Sequence, residues 1–146
     1  MSDSLTKIAI GSDHGGFNLK LEIIEILREK GYSIIDCGCV STESVDYPDV
    51  AVNVREAVVS GQAARAILIC GTGIGMAMAV NRDVRIRAAL CHDEYTARMS
   101  RAHNNANVLC LGGRVIGSGV CRAIVETWLQ TEFDGGRHLK RIAKFS

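Results

Sequence analysis

From residue 7 almost to its end, the chain alternates short apolar runs with amphipathic stretches. "KIAIG" (7–11) reads as a strand that ends at the polar turn "SDHGG". Residues 17–30 take helical spacing, with Phe17, Leu21, Ile24 and Leu27 on one face and Asn18, Glu22, Glu25 and Glu29 on another. Gly31 is the natural stop of that helix. "YSIID" (32–36) is the second strand, followed by a loop through "CGCVSTESVDYP". Pro48, the single proline, suits the first turn of a helix running to about Ser60, with Gly61 behind it. "ARAILIC" (64–70) is apolar almost throughout, as a strand buried on both faces should be. A short helix from about Ile74 leads to a strand at 85–91, a helix at 93–104 and a strand at 106–112. In the last long helix, 117–133, Val120, Ile124 and Trp128 share a face flanked by Cys121, Val125 and Leu129. "DGG" then breaks the chain before a short basic tail, "RHLKRIAKFS".

This alternation predicts an α/β fold. The expected form is a single three-layer α/β/α Rossmann-like domain over residues 1–146, with a five-stranded parallel sheet and a C-terminal helical tail. Ligands of such sheets bind beyond the carboxyl ends of the strands. The residues to read are therefore Ser12 to Gly16, Cys37 to Tyr47, Gly71 to Gly75, His92 to Glu94 and Gly112 to Arg114.

Composition narrows the partners. A length of 146 residues suits one domain, and a formal net charge of +1 gives no electrostatic case for nucleic acid or an acidic membrane. No apolar run approaches the ~18 residues of a membrane span, and the polar start "MSDSLTK" is no signal peptide. A reducing, cytoplasmic setting follows, in which the six cysteines are free thiols. Cys91, Cys110 and Cys121 read as core residues, and the spacing of Cys37 and Cys39 in "CGC" is not that of a zinc or redox motif.

The remaining cysteine, Cys70, stands apart. It closes an apolar strand against the glycine-rich turn "GTGIG" (71–75), whose bare amides at a helix start suit an anion. Gly71, Gly73 and Gly75 give G-x-G-x-G with Met76 where a dinucleotide fingerprint needs its third glycine, and the loop follows the third strand rather than the first. "GSDHGG" misses a P-loop because Phe17 stands where its lysine belongs. The alternative anion is one made during a reaction. Amides of residues 71–75 and the Thr72 hydroxyl would hold an oxyanion, while the same positive field favours a thiolate at Cys70. A base beside an oxyanion hole is what proton abstraction next to a carbonyl requires. A tight turn over a core cysteine would use the same residues.

Five segments in order, "GSDHGGFNLK", "DYPD", "ILICGTGIGMAMAVN", "HNNANVLCLGGRVIG" and "GGRHLKR", closely resemble the type B ribose-5-phosphate isomerases. The wider family contains galactose-6-phosphate and allose-6-phosphate isomerases. The resemblance implies interconversion of ribose 5-phosphate and ribulose 5-phosphate through an enediolate, in the non-oxidative pentose phosphate pathway. It assigns the base to Cys70 and the intermediate's oxygens to Gly71, Thr72, Gly73, Ile74 and Gly75. It gives ring opening to His103 with help from Asp13, and a substrate contact to Asn104. Phosphate falls to His14, Arg114, Arg137, His138 and Arg141, while Asp46 and Tyr47 close the other side. Arg137 and Arg141, four apart, share a face of any helix that begins after "DGG". The resemblance further implies no metal, no cofactor, and a homodimer or tetramer whose site lies between subunits. "HDE" (92–94) reads as a helix start with Asp93 near the N-cap rather than as a metal site. Other readings are a six-carbon phosphosugar isomerase, a non-catalytic phosphosugar-binding protein, and a dinucleotide-dependent oxidoreductase. Loss of Cys70, Thr72 and His103 would be expected of the second, and nicotinamide binding of the third.

Overall fold

The computed structural model describes residues 6–146, so residues 1–5 of the polar start and of the expected 1–146 domain lie outside it. Five strands and six helices follow the chain: β1 Lys7–Ser12, α1 Phe17–Glu29, β2 Ser33–Asp36, α2 Tyr47–Val59, β3 Arg65–Cys70, α3 Ile74–Val80, β4 Ala88–Leu90, α4 Glu94–Ala102, β5 Val108–Gly112, α5 Ser118–Gln130 and α6 Arg137–Ala143. A single 3-10 turn, His14–Gly16, separates β1 from α1. The strands form one parallel sheet in the order β2-β1-β3-β5-β4. The chain reverses its direction of travel across the sheet between β1 and β3, which makes their carboxyl ends the expected crevice.

Strand alternation splits the core in two. Ile8, Ile10, Ile67, Ile69, Leu109 and Leu111 face α1 and α5 across one side, with Trp128 buried among them. Ala9, Ala66, Leu68, Cys70, Val108 and Cys110 face α2 and α3 on the other. This is the three-layer arrangement that the pattern predicts, and it puts Cys70 on the α2–α3 side of the sheet.

Three local expectations are corrected. On α1 the buried stripe is Leu19, Lys20, Ile23, Ile24, Ile26 and Leu27, and Leu21 is exposed. Lys20 enters this stripe because its ammonium reaches Asp36 Oδ1 at 2.8 Å and Oδ2 at 3.1 Å, together with the Cys39 carbonyl. The Phe17 ring covers it, 5.3 Å from Nζ to the centroid. On α5, Val120 is exposed, and the buried face runs through Cys121, Ile124, Val125 and Trp128. The fourth strand begins at Ala88 rather than 85 because Asp83 turns the chain first, accepting from the N–H of Arg85 through Oδ1 and from that of Ile86 through its carbonyl.

All six cysteines are free. Burial pushes the thiols of Cys37, Cys91 and Cys110 up, and that of Cys121 up to about 12, which makes these four poor nucleophiles.

Candidate active site

Three loops meet at the carboxyl ends of β1, β3 and β5. Asp13 N–H donates to the Ile69 carbonyl at 3.1 Å, Gly113 N–H to that of Cys70 at 2.8 Å, and Arg114 N–H to that of Gly71 at 3.0 Å. Only glycine fits where they cross. A methyl at Gly113 would stand 2.7 Å from the Gly15 carbonyl oxygen. The loops enclose a pocket of about 450 Å³ lined by Asp13, Tyr47, Cys70, Thr72, Ile74 and Met78, with Gly71 and Gly75 forming its backbone wall.

Cys70 is buried at the floor, and its Sγ accepts a hydrogen bond from Gly73 N–H at 3.1 Å. Gly73 adopts φ +80°, which turns its amide towards the sulfur, and a side chain there would also strike Leu90. Thr72 Oγ1 accepts from Ile74 N–H at 3.2 Å, leaving the hydroxyl proton to donate elsewhere.

Asp13 makes the Asx turn that its sequence allowed. Oδ1 accepts from Gly15 N–H at 2.9 Å and Gly16 N–H at 3.1 Å, which fixes the buried carboxylate at the pocket edge. His14 Nδ1 accepts from Val45 N–H at 3.3 Å, so the ring is aimed by the loop before α2. The Tyr47 ring lies against Gly75, where an added methyl would be 2.6 Å from Cε1 and Cζ. Closing the site and packing on the loop are here one contact. The exposed Arg114 guanidinium lies over Gly71 and Gly15, within 3.4 Å of where a methyl on either would be. Asp46 stands at the N-cap of α2, with no capping bond from its side chain.

The other expected residues form a second cluster. His103 is the C-cap of α4, and its ring stacks on that of His138, centroids 4.2 Å apart and 12° from parallel. Asp134 N–H donates to the Ala102 carbonyl at 2.9 Å, and ligand-type atoms of His103, Asp134 and His138 all lie within 4.8 Å of one another. Burial, then the nearby charges of His103, Arg137 and Arg141, hold His138 below the usual imidazole range, with Asp134 opposing. Arg137 and Arg141 stand exposed, one turn apart on α6, and Asn104 is exposed beside Arg87 and Phe145.

These two clusters do not meet within one chain. Helix α4 runs from the carboxyl end of β4 back towards the start of β5, a descent of ~14 Å for nine residues. Cys70 pairs with Gly112 at the far end of β5. Neither His103 nor Asn104, Arg137, His138 or Arg141 lines the Cys70 pocket.

Residues 8–145 match the family described as Ribose/Galactose Isomerase. The chain belongs to that family. It is 46% identical over 138 residues to ribose-5-phosphate isomerase B of Escherichia coli, covering 94% of this chain and 93% of the relative. A D-erythrulose-4-phosphate isomerase of Pectobacterium atrosepticum is 43% identical over 141 residues, covering 96% of this chain and 93% of that one. Among solved structures, ribose-5-phosphate isomerase B of Clostridium thermocellum superposes with a TM-score of 0.93 at 56% identity, covering 94% of this chain and 93% of its own.

Two residues of these clusters escaped the sequence. Met78 lines the pocket one turn after Ile74, a spacing that the helix pattern contained. Asp134 joins the two histidines from within "DGG", a segment that reads only as a helix breaker. The "HDE" run is the helix start expected of it, with Asp93 Oδ1 accepting from Thr96 N–H at 2.7 Å. The ligand-type cluster lies instead at His103, Asp134 and His138. No helix among the described residues is long and apolar enough to cross a membrane.

Proposed function

We propose that this chain is an aldose–ketose isomerase that interconverts ribose 5-phosphate and ribulose 5-phosphate, and that it works as a homodimer. The carrying observation is the Cys70 sulfur held by the Gly73 amide on the floor of a pocket walled by the 71–75 loop.

In the forward direction the Cys70 thiolate removes the C2 proton of the opened sugar, and the C1 aldehyde oxygen takes on negative charge. Amides of residues 71–75 stabilise that enediolate where the charge develops. A hydroxyl such as that of Thr72 relays the proton from O2 to O1, and the Cys70 thiol returns its proton to C1. The net result is the ketose, with no redox partner and no metal. Ring opening precedes this. His103 of the partner subunit protonates the ring oxygen, and Asp13 draws the proton from the anomeric hydroxyl.

Phosphate anchoring assigns His14 and Arg114 to one chain and Arg137, His138 and Arg141 to the other, with Asn104 of the partner subunit on the sugar. The separation of the two clusters supports this division, because a second copy is needed to bring five of the residues to the Cys70 pocket. Remote phosphate binding then orients the reacting carbons.

The test is turnover of ribose 5-phosphate in deuterated water, followed by proton spectra, for the parent and for Cys70→Ala. Ketose labelled with deuterium from the parent alone supports the reading, and equal turnover by both removes Cys70 from the base role. Erythrose 4-phosphate, allose 6-phosphate and galactose 6-phosphate run alongside. A four-carbon or six-carbon sugar turned over with higher kcat/KM would reassign the substrate while keeping the chemistry.

A further inference from the structure

At the opposite edge of the sheet, where α4 and α5 end and β3 and β5 begin, Arg65, Arg87 and Arg101 line one polar pocket of about 630 Å³. All three are half-buried. Their protein partners are uncharged. Arg65 Nη1 donates to the carbonyls of Trp128 and Leu129 at 3.4 and 3.3 Å. Arg87 Nε donates to those of Asn104 and Asn105, both at 3.2 Å, and its Nη2 to that of Asn105 at 3.1 Å. Arg101 Nε donates to the Thr131 carbonyl at 3.3 Å, and its Nη1 to Asn105 Oδ1 at 3.0 Å and the Ala106 carbonyl at 2.6 Å.

These bonds cap the carbonyl end of α5, tie down the segment that follows α4 and fix the guanidinium planes, yet they bring no negative charge. Among the described residues no carboxylate lies within salt-bridge distance of any of the three. Glu132 lines the pocket but forms no ion pair. Nη2 of Arg65, Nη2 of Arg101 and Nη1 of Arg87 keep donors with no partner among the described residues. Burial first, then the charges of Arg65 and Arg87, pull the Arg101 guanidinium down to about 10. Half-buried charge is ordinarily compensated. Three cations that share a pocket, and whose hydrogen bonds to the protein all go to neutral oxygens, have donors left for an anion.

We propose that this pocket binds a diphosphate group, free or carried on a small molecule. One carboxylate carries a single charge and offers two oxygens, too few for three guanidinium groups. A diphosphate brings a charge of at least −2 at neutral pH and enough oxygens for three planar forks, and arginine is the side chain suited to that geometry. Within one chain the pocket lies away from Cys70 and shares no lining residue with its pocket.

The molecule carries its own reporter. Trp128 is the single tryptophan, with the Cζ of Arg65 5.1 Å and that of Arg101 5.9 Å from its ring. Inorganic pyrophosphate and adenosine diphosphate are titrated into the full chain at constant ionic strength, with tryptophan emission excited at its red edge. A saturable change is expected, absent with potassium chloride and weakened about tenfold or more in Arg65→Gln, roughly the loss of one charge-assisted bond. Tighter binding of the nucleotide would identify a carried diphosphate, and equal binding the bare group. Anion bound at the phosphosugar site would not need Arg65, so an undiminished response in Arg65→Gln overturns the proposal. A response that tracks ionic strength alone does the same. Should Arg65→Gln fail to fold, as judged by circular dichroism, Arg101→Lys keeps the charge but loses the fork and must weaken binding in its place.

Discussion

The backbone N–H of Gly73 donates to the sulfur of Cys70 at 3.1 Å, so the turn that follows β3 also holds the side chain that ends it. The bond exists because Gly73 sits at φ +80°, and the same residue approaches the Leu111 carbonyl carbon to within 2.9 Å of where a methyl would be.

Gly73→Ala should therefore damage both fold and chemistry. Holding alanine in the left-handed region costs about 1–2 kcal/mol, before the clash with Leu90 is relieved. Relief must move the amide off the sulfur, and kcat should fall as Cys70 loses the bond that holds it. Urea unfolding and steady-state kinetics measure the two effects separately. A variant that is destabilised but fully active would show that the Gly73 amide has no part in the reaction.

Lys20 makes a different kind of prediction. Its side chain is 1% exposed while that of Asp36 is 47% exposed, so the pair is buried at the cation and open at the anion. Asp36→Asn removes the counter-charge of the buried ammonium and leaves it only neutral acceptors, the Cys39 carbonyl and an amide oxygen in place of the carboxylate. The expected cost is about 1–3 kcal/mol in urea unfolding, towards the lower end because water reaches residue 36. Lys20→Met combined with Asp36→Asn should recover part of that loss, since a buried apolar chain needs no counter-charge.

Much of this was legible in the sequence. Period-2 and period-3.6 patterns carried the succession of β1 to β5 along the chain and the glycine turn after Cys70, because burial on two faces writes long apolar runs. Lys20 was not legible, since nothing local says that an ammonium inside a helix face will find Asp36 sixteen residues later. Leu21 took its place in the expected stripe for that reason. Asp134 was hidden likewise, because its meeting with His103 and His138 depends on where the tail folds back. The proposed division of the site rests on the family resemblance and not on the pattern. The direction of α4, which carries His103 away from Cys70 within one chain, agrees with it.

The stacked histidines give a pH dependence with a definite sign. His138 is held below the usual imidazole range, chiefly by burial, so the unfolded chain binds this proton more readily than the folded one. Stability from the stack is complete above the unfolded value of ~6.5 and falls as the pH drops towards the lower folded value. Melting temperatures of the parent should decline more steeply from pH 7 to about pH 5 than those of His138→Gln. Parallel curves for the two proteins would show that protonation of His138 does not govern the acid limb.

The last prediction concerns the halves of the site. Cys70 lies at the carboxyl end of β3, and His103 lies at the far end of α4, beside the start of β5. If the proposed dimer joins the Cys70 pocket of one chain to His103 of the other, Cys70→Ala and His103→Ala should each be nearly inactive alone. Mixed and refolded in equal amounts, half of the dimers are heterodimers. Each of these contains one site with both residues intact and one with neither. Recovery of about a quarter of parental activity is therefore expected from two dead proteins, a value that follows from twofold symmetry alone. No recovery from two inactive variants, with heterodimer formation verified by native mass spectrometry, would mean that each chain works with its own His103. Loss of activity in only one of the two single variants would instead remove the other residue from the mechanism.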